Sequence, residues 1–274
     1  MIVKTRLSPF FKPLALAAAL VTVSSVRGAE TADDGAVQNP WSFNLGTYLW
    51  LPNIDGNFSA GPFNKSSDFS FGDIVGKMRN FPMEFNGHFE AHYERLGFYL
   101  DGNYLGADFR PQLDQNISKG LSTRLGIMEY GATYRLFGPS ASERVAHWDE
   151  KSPSNILDIY AGGRTIWLGN EAEFGGTSAS SNVSITAPLV GGRIIVEFSS
   201  KWFASVDGSV GGFGVDNVSF TGSALGMVGY RTRLFGVPAS VEAGYKALSV
   251  KVDKGILTSD IIIHGAFLGL TGYW

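Results

Sequence analysis

The 274-residue chain contains no cysteine. That excludes a disulfide scaffold, cysteine-bound zinc, iron–sulfur clusters and thiol catalysis. Charge is also scarce. Asp, Glu, Lys and Arg together make up 17% of the residues, with a net charge of −3, so no basic excess is available to hold a nucleic-acid backbone. A disordered chain is excluded from the other direction, because 44% of the residues are hydrophobic. Missing as well is any apolar run of the roughly 20 residues that a membrane-crossing helix needs. Glycine is plentiful, with 35 residues, and aromatic residues reach 13%.

The N-terminus reads as an address. Lys4, Arg6 and Lys12 precede an apolar stretch from Leu14 to Val23, and small residues lead to Ala29. This is the layout of a secretory signal peptide, assigned to residues 1–29. Its removal takes four basic residues (Lys4, Arg6, Lys12 and Arg27) and no acidic ones from the 22 and 25 of the whole chain, so the net charge falls from −3 to −7. Residues 30–40 follow as a short periplasmic segment. An exported chain without a spanning helix is either soluble or a membrane β-barrel.

From residue 41 onward the chain alternates with period two, the mark of strands with unlike faces. Met83, Phe85, Phe89, Ala91 and Tyr93 share one face; Glu84, Asn86, His88, Glu90 and His92 share the other. Phe98, Leu100 and Tyr104 oppose Tyr99, Asp101 and Asn103. Met128, Tyr130 and Tyr134 oppose Glu129, Thr133 and Arg135, and Ile159, Ala161 and Trp167 oppose Asp158, Tyr160 and Arg164. Further segments near 41–51, 188–198, 202–213, 222–235, 238–251 and 260–274 bring the expectation to ten strands, with eight and twelve as the neighbouring even counts. The fold class is therefore all-β: a transmembrane, antiparallel, up-and-down β-barrel over residues 41–274, with its ends on one side of the membrane.

The expected connectors alternate in length. Those near 94–97, 199–201 and 235–238 are tight, whereas 52–81, 110–122, 169–184, 213–220 and 252–259 are long or polar. Short turns on one side and long loops on the other are the outer-membrane pattern. Segment 137–154, polar and carrying Pro139 and Pro153, is the exception and is expected to be a mobile periplasmic loop. Within 52–81, Asn57–Ala60 and Ser67–Phe71 are expected to extend the first strand as an outer hairpin. Phe71–Met78 is a candidate short helix over or inside the barrel.

The ending Gly265-Ala-Phe-Leu-Gly-Leu-Thr-Gly-Tyr-Trp274 resembles the terminal strand of bacterial outer-membrane barrels. In those proteins a final aromatic residue, preceded by apolar residues at alternate positions, is read by the barrel-assembly machinery. Trp274, Leu270 and Leu268 match this assembly signal; Gly272 departs, with the aromatic next door at Tyr273. Leu45-Gly-Thr-Tyr-Leu-Trp-Leu-Pro52 and Tyr99-Leu-Asp-Gly-Asn-Tyr-Leu-Gly106 resemble a widespread, mostly uncharacterised group of small porin-like barrel proteins of Gram-negative bacteria. The resemblance spans residues 41–274 and implies residence in the outer membrane, in contact with its lipid and lipopolysaccharide. It is not specific for an activity, since one fold hosts many functions.

By parity, Glu84, His88, Glu90, His92, Asp101, Glu129, Arg135, Asp158, Arg164, Arg193, Arg231, Arg233, Glu242 and Lys246 point into the lumen. Such charges require either water or partners. The arginines Arg164, Arg193, Arg231 and Arg233 are expected to face the acids Glu84, Glu90, Asp101 and Glu129, leaving a field across the lumen. His88 and His92 lie about 13 Å apart along a regular strand at roughly 3.3 Å per residue, too far to share one ion. No metal or cofactor is therefore expected. No Ser–His signature surrounds the four histidines, so no enzymatic activity is expected either. Roughly eight strands leave an interior filled by side chains and 16–18 leave a channel. Ten implies a narrow lumen and porin-like passage of small polar solutes or ions. The alternative is a closed structural or surface-interaction barrel that binds through its outer loops, and a lipid-modifying enzyme is the third reading.

Overall fold

A computed structural model describes residues 39–60, 63–69, 83–109, 119–150, 155–174, 177–254 and 257–274. The expected leader and the candidate helix at Phe71–Met78 lie outside the described residues. Eleven strands are present: β1 (Trp41–Ala60), β2 (Phe63–Phe69), β3 (Met83–Tyr93), β4 (Leu96–Phe109), β5 (Lys119–Phe137), β6 (Asn155–Phe174), β7 (Thr177–Glu197), β8 (Trp202–Gly212), β9 (Val218–Leu234), β10 (Val237–Lys254) and β11 (Leu257–Tyr273). Neighbours in sequence pair antiparallel, and β11 returns to pair with β1 from Asn44↔Tyr273 to Ala60↔Leu257. Ten strands thus close into a barrel.

The eleventh strand, β2, folds back on the outer half of β1, from Ile54↔Phe69 to Ala60↔Phe63. This is the expected outer hairpin, but its returning arm is 63–69 rather than Ser67–Phe71. On the same side, β1 pairs with β3 only from Trp41↔Tyr93 to Thr47↔Gly87. Where that ladder ends, side chains stitch the seam: Thr47 Oγ1 donates to the Asn86 carbonyl (3.0 Å), and Asn86 Nδ2 donates to the Tyr48 carbonyl (3.1 Å).

Burial is inverted relative to a soluble protein. Leu45, Phe98, Tyr134, Ile194, Val206 and Leu268 are exposed, while Glu90, Arg135, Asp158, Arg164, Arg231 and Glu242 are buried. Charged residues are almost never buried without partners, and a water-soluble barrel would present the opposite faces. An apolar outer band around a charged interior identifies an integral barrel of the outer membrane. Aromatic rings gather at the end carrying the short turns. Trp41 lies 5.9 Å from Phe43 and 5.2 Å from Tyr93, and Trp202 lies 5.0 Å from Tyr230, where amphipathic rings favour a membrane–water boundary.

The periplasmic turns are tight, as at Phe235–Gly236, where φ values of 51° and 84° suit a two-residue hairpin turn. Between β5 and β6, Gly131 and Gly162 face each other so closely that a Cβ on either would strike the other strand's backbone. Side chains are excluded there and the two strands approach intimately.

Four connectors differ from expectation. Segments 169–184 and 252–259 are mostly strand, since β6 runs to Phe174 and β7 starts at Thr177, and β10 runs to Lys254 and β11 starts at Leu257. The link after β8 is not a long loop: residues 213–217 form a compact turn containing a single 3-10 turn at Val215–Asn217, and β9 starts at Val218. Its Asp216 carboxylate accepts from the Thr186 backbone N–H (3.0 Å), fastening the turn to β7. Likewise, the described part of segment 137–154 is not a mobile loop. It holds helix α1 (Ala141–Ala146) and folds against the periplasmic mouth.

Candidate functional site

The lumen is the candidate site, and its contents are layered. The periplasmic layer is the segment after β5. Ser140 caps α1 by accepting from the Glu143 backbone N–H (3.2 Å), while the Glu143 carboxylate accepts from the Ser140 N–H (2.6 Å). This reciprocal capping box starts a helix too short to persist alone. The same backbone N–H holds the Glu143 carboxyl below the usual carboxylate range. Beyond α1, the His147 imidazole is raised by the Glu150 carboxylate, 3.0 Å away.

Five contacts seat this segment. Arg144 donates to Glu197 Oε1 (2.9 Å). Trp148, only 3% exposed, donates through Nε1 to the Thr232 carbonyl (3.1 Å). Its ring lies 4.7 Å from that of Tyr273 and 5.0 Å from the Arg231 guanidinium. Arg135 also donates to the Pro139 carbonyl (2.8 Å).

Above this layer the charged side chains close on one another. Arg193 of β7 reaches Glu90 of β3 at 2.5 Å and Asp158 of β6 at 3.0 Å. Glu90 also accepts from His88 (3.0 Å) and His92 (2.8 Å). The two histidines thus share one carboxylate. Asp158 pairs in addition with Arg135 (2.8 Å), and Arg231 pairs with Glu197.

Higher still, Lys246 of β10 meets Asp101 of β4 (3.0 Å), with Tyr48 accepting from the ammonium (2.9 Å) and donating to Asp101 (2.9 Å). Arg164 is wholly buried. It donates to Glu129 (3.0 Å), Thr221 (2.5 Å), Ser209 (2.9 Å) and Ser223 (2.9 Å). Glu242 accepts from Ser240 (2.6 Å), Thr271 (3.3 Å) and Tyr273 (3.3 Å).

Toward the outer end the interior turns apolar. Trp50, Ile127, Leu248, Val250, Ile263 and Phe267 form one buried cluster. Cavities of about 150 Å³ and about 90 Å³ lie among the described residues. Both have Glu90 and Arg193 in their walls, so that pair stands between them.

Two placements correct the sequence reading. Arg233 has inward parity but sits at the rim, where it is exposed and pairs with Asp149 (2.6 Å). Nor do arginines and acids stand apart on opposite walls. The arginines lie on β6, β7 and β9, but Asp158, Glu197 and Asp207 lie among them, and Arg193 and Arg164 close directly on Glu90 and Glu129. Most of these charges therefore meet in pairs rather than facing one another as two separate walls. The Glu84 side chain lies outside the described residues. Among the described residues no group of three His, Asp or Glu side chains is placed to hold a metal ion.

Sequence reasoning missed Arg144 and Trp148. The signal for α1 was present, since Ser140-Ala-Ser-Glu143 spells a capping box. The insertion of Trp148 had no local signal, because its partners Tyr273, Arg231 and Thr232 are distant in sequence.

No protein-family model matches this chain, and no curated protein matches it. Among solved structures, it is similar to outer membrane protease OmpT of Escherichia coli (TM-score 0.42, 9% identity, 86% of this chain and 97% of that one). Ail, the attachment invasion locus protein of Yersinia pestis, solved in complex with the heparin analogue sucrose octasulfate, gives a TM-score of 0.38 at 9% identity over 85% and 98% of the two chains. Neisserial surface protein A gives 0.27 at 12% identity over 84% and 96%. These likenesses leave the interior residues and any activity unassigned.

Proposed function

We propose that this outer-membrane barrel works at the cell surface through its outward hairpins, with a closed interior in place of an open diffusion path. One observation carries the reading. The lumen is crossed in succession by the α1–Trp148 segment, by the Glu90–Arg193 bridge and by the apolar cluster around Trp50 and Phe267. An apolar constriction sheds water and blocks ions even where some width remains.

Strand length supports the same reading. A tilted strand crosses the bilayer in roughly 9–11 residues, whereas β1, β6 and β7 have 20, 20 and 21. Their outer halves project beyond the membrane as paired ribbons, held by continuous registers such as Asn155↔Val196 to Phe174↔Thr177.

Porin-like passage of small polar solutes is the second reading, and the two cavities favour it, since they would join if the Glu90–Arg193 bridge opened. Single-channel recording in planar bilayers separates the two. Protein whose insertion is verified should stay electrically silent. Reproducible small conductance steps would instead establish the porin-like reading.

A further inference from the structure

The larger cavity has a chemical bias that neither reading uses. Five carboxylates stand in its wall (Glu90, Asp101, Glu129, Asp207 and Glu242) against two permanent cations, Lys246 and Arg193. Arg164, behind Glu129, supplies a third positive charge, and His88 supplies a fourth when protonated. The chamber therefore keeps an excess of negative charge.

That excess has a location. Glu90, Asp101 and Glu129 each have a cationic partner within 3.0 Å. Asp207 and Glu242 have none among the described residues: Glu242 accepts from three hydroxyls instead, and Asp207 stands opposite Arg193 in the β7–β8 ladder without an ion pair to it. Asp207 accepts one hydrogen bond at Oδ1 from the Tyr160 hydroxyl (2.7 Å). Asp207 is half-buried, and a carboxylate withdrawn from water without an ion pair is costly.

A second, independent observation points to an occupant. Tyr99, 6% exposed, and Ser205, 3% exposed, also face this cavity, and the hydroxyl of each is buried without a hydrogen-bond partner. Such orphaned groups are rare unless something absent from the protein chain satisfies them. The Tyr99 ring packs edge-on against Tyr160 at 5.3 Å, so the two aromatic rings lie beside the Asp207 carboxylate.

We propose that the upper chamber binds a small monovalent organic ammonium. Asp207 supplies the countercharge, the Tyr99 and Ser205 hydroxyls accept its N–H groups, and the Tyr99 and Tyr160 rings flank its positive charge. Aromatic faces attract ammonium groups, most strongly where water is excluded. The volume, about 150 Å³, is many times the roughly 10–15 Å³ that a single water requires and admits a compact amine, whereas a quaternary ion has no N–H to give the Tyr99 and Ser205 hydroxyls. The proposal does not depend on whether the barrel works through its outer hairpins.

The test uses protein purified from outer membranes, unfolded in urea and refolded in detergent with increasing methylammonium chloride. Sodium chloride and tetrapropylammonium chloride at equal ionic strength are the controls. Refolding lets the chamber fill even if exchange through the closed barrel is slow. The readout is the temperature at which the heat-modifiable folded band is lost. A saturable rise with methylammonium alone is expected. In Asp207→Asn, where the amide oxygen can still accept from Tyr160, half-saturation should move at least tenfold higher. Tyr99→Phe, which removes a hydroxyl with no partner, should refold as well as the parent and bind severalfold more weakly. Equal stabilisation by sodium chloride, or an unchanged titration in Asp207→Asn, would overturn the proposal.

Discussion

Trp148 and Tyr273 meet at the periplasmic mouth with ring centroids 4.7 Å apart. One ring comes from the segment after β5 and the other from the next-to-last residue of the chain. The contact ties a connector to the closing strand, and the Arg231 guanidinium over Trp148 adds a cation–π contact.

Trp148→Ala should cost about 3 kcal/mol, the usual loss for truncating a buried aromatic residue. Urea unfolding followed by tryptophan-independent circular dichroism would measure it. The loosened segment should become cleavable by trypsin after Arg144 from the periplasmic side. The bilayer should remain silent, because the apolar cluster around Trp50 still closes the barrel. Conductance steps in this variant would favour the porin-like reading.

Arg193, half-buried, and Glu90, buried, are a cross-lumen pair, and removing one partner strands the other. Breaking such a pair costs about 3–5 kcal/mol. Glu90→Ala should be the more damaging single change, since it also deprives His88 and His92 of their shared acceptor. The double variant Glu90→Ala/Arg193→Ala should lose less than the sum of the singles. A double-mutant cycle on unfolding free energies measures the difference.

The periplasmic segment should be held best in mildly acidic buffer. Glu143 has its carboxyl lowered by the Ser140 N–H, so its cap is in force above its ordinary value of 4.5 and fails as pH falls through the depressed value. His147 is raised by Glu150, so its contribution is complete below the ordinary 6.5 and fades as pH rises through the elevated value. Amide hydrogen exchange of residues 141–147 should therefore show greatest protection between about 4.5 and 6.5. A flat profile across pH 3–8 would remove the two groups from the account. Ser140→Ala should lower protection at every pH, by about 1 kcal/mol, the usual worth of a helix cap.

Much of the barrel was legible in the sequence because strand period and membrane geometry act together. Each residue that alternates onto the apolar face meets lipid, and each on the other face meets the lumen. Phe98 against Tyr99, Met128 against Glu129 and Ile194 against Arg193 could therefore be assigned from neighbours alone. Arg233 obeyed the same parity but lies at the strand's end, where facing inward means facing solvent. Cross-lumen partners were not legible. Parity sets a side chain's direction and says nothing of which strand stands opposite, so the pairing of Arg193 with Glu90 awaited closure of the ring. The same holds for Asp207, whose lack of an ion pair among the described residues is a property of the whole interior.

Substituting Trp274 tests the terminal strand. Its backbone N–H and carbonyl exchange hydrogen bonds with Phe43, both at 2.9 Å, so the main chain of the last residue completes the seam. Trp274→Ala keeps those bonds, and purified protein should refold as before. Its yield of heat-modifiable barrel in growing cells should fall severalfold if the aromatic side chain is read during assembly. Equal losses in both settings would assign the ring to stability instead.

The seam between β1 and β11 joins the two ends of the barrel sequence along one ladder from Asn44↔Tyr273 to Ala60↔Leu257. A ring differs from an open sheet in the timing this imposes. Hairpins between consecutive strands can form as soon as both arms exist, but the ladder that removes both edges waits for the final residue to be synthesised. Until then the chain carries two unpaired strands and an apolar face with no lipid to cover it. Pairing across so long a stretch of chain is slow. Closure of the ring therefore cannot precede the appearance of β11, however early the hairpins form.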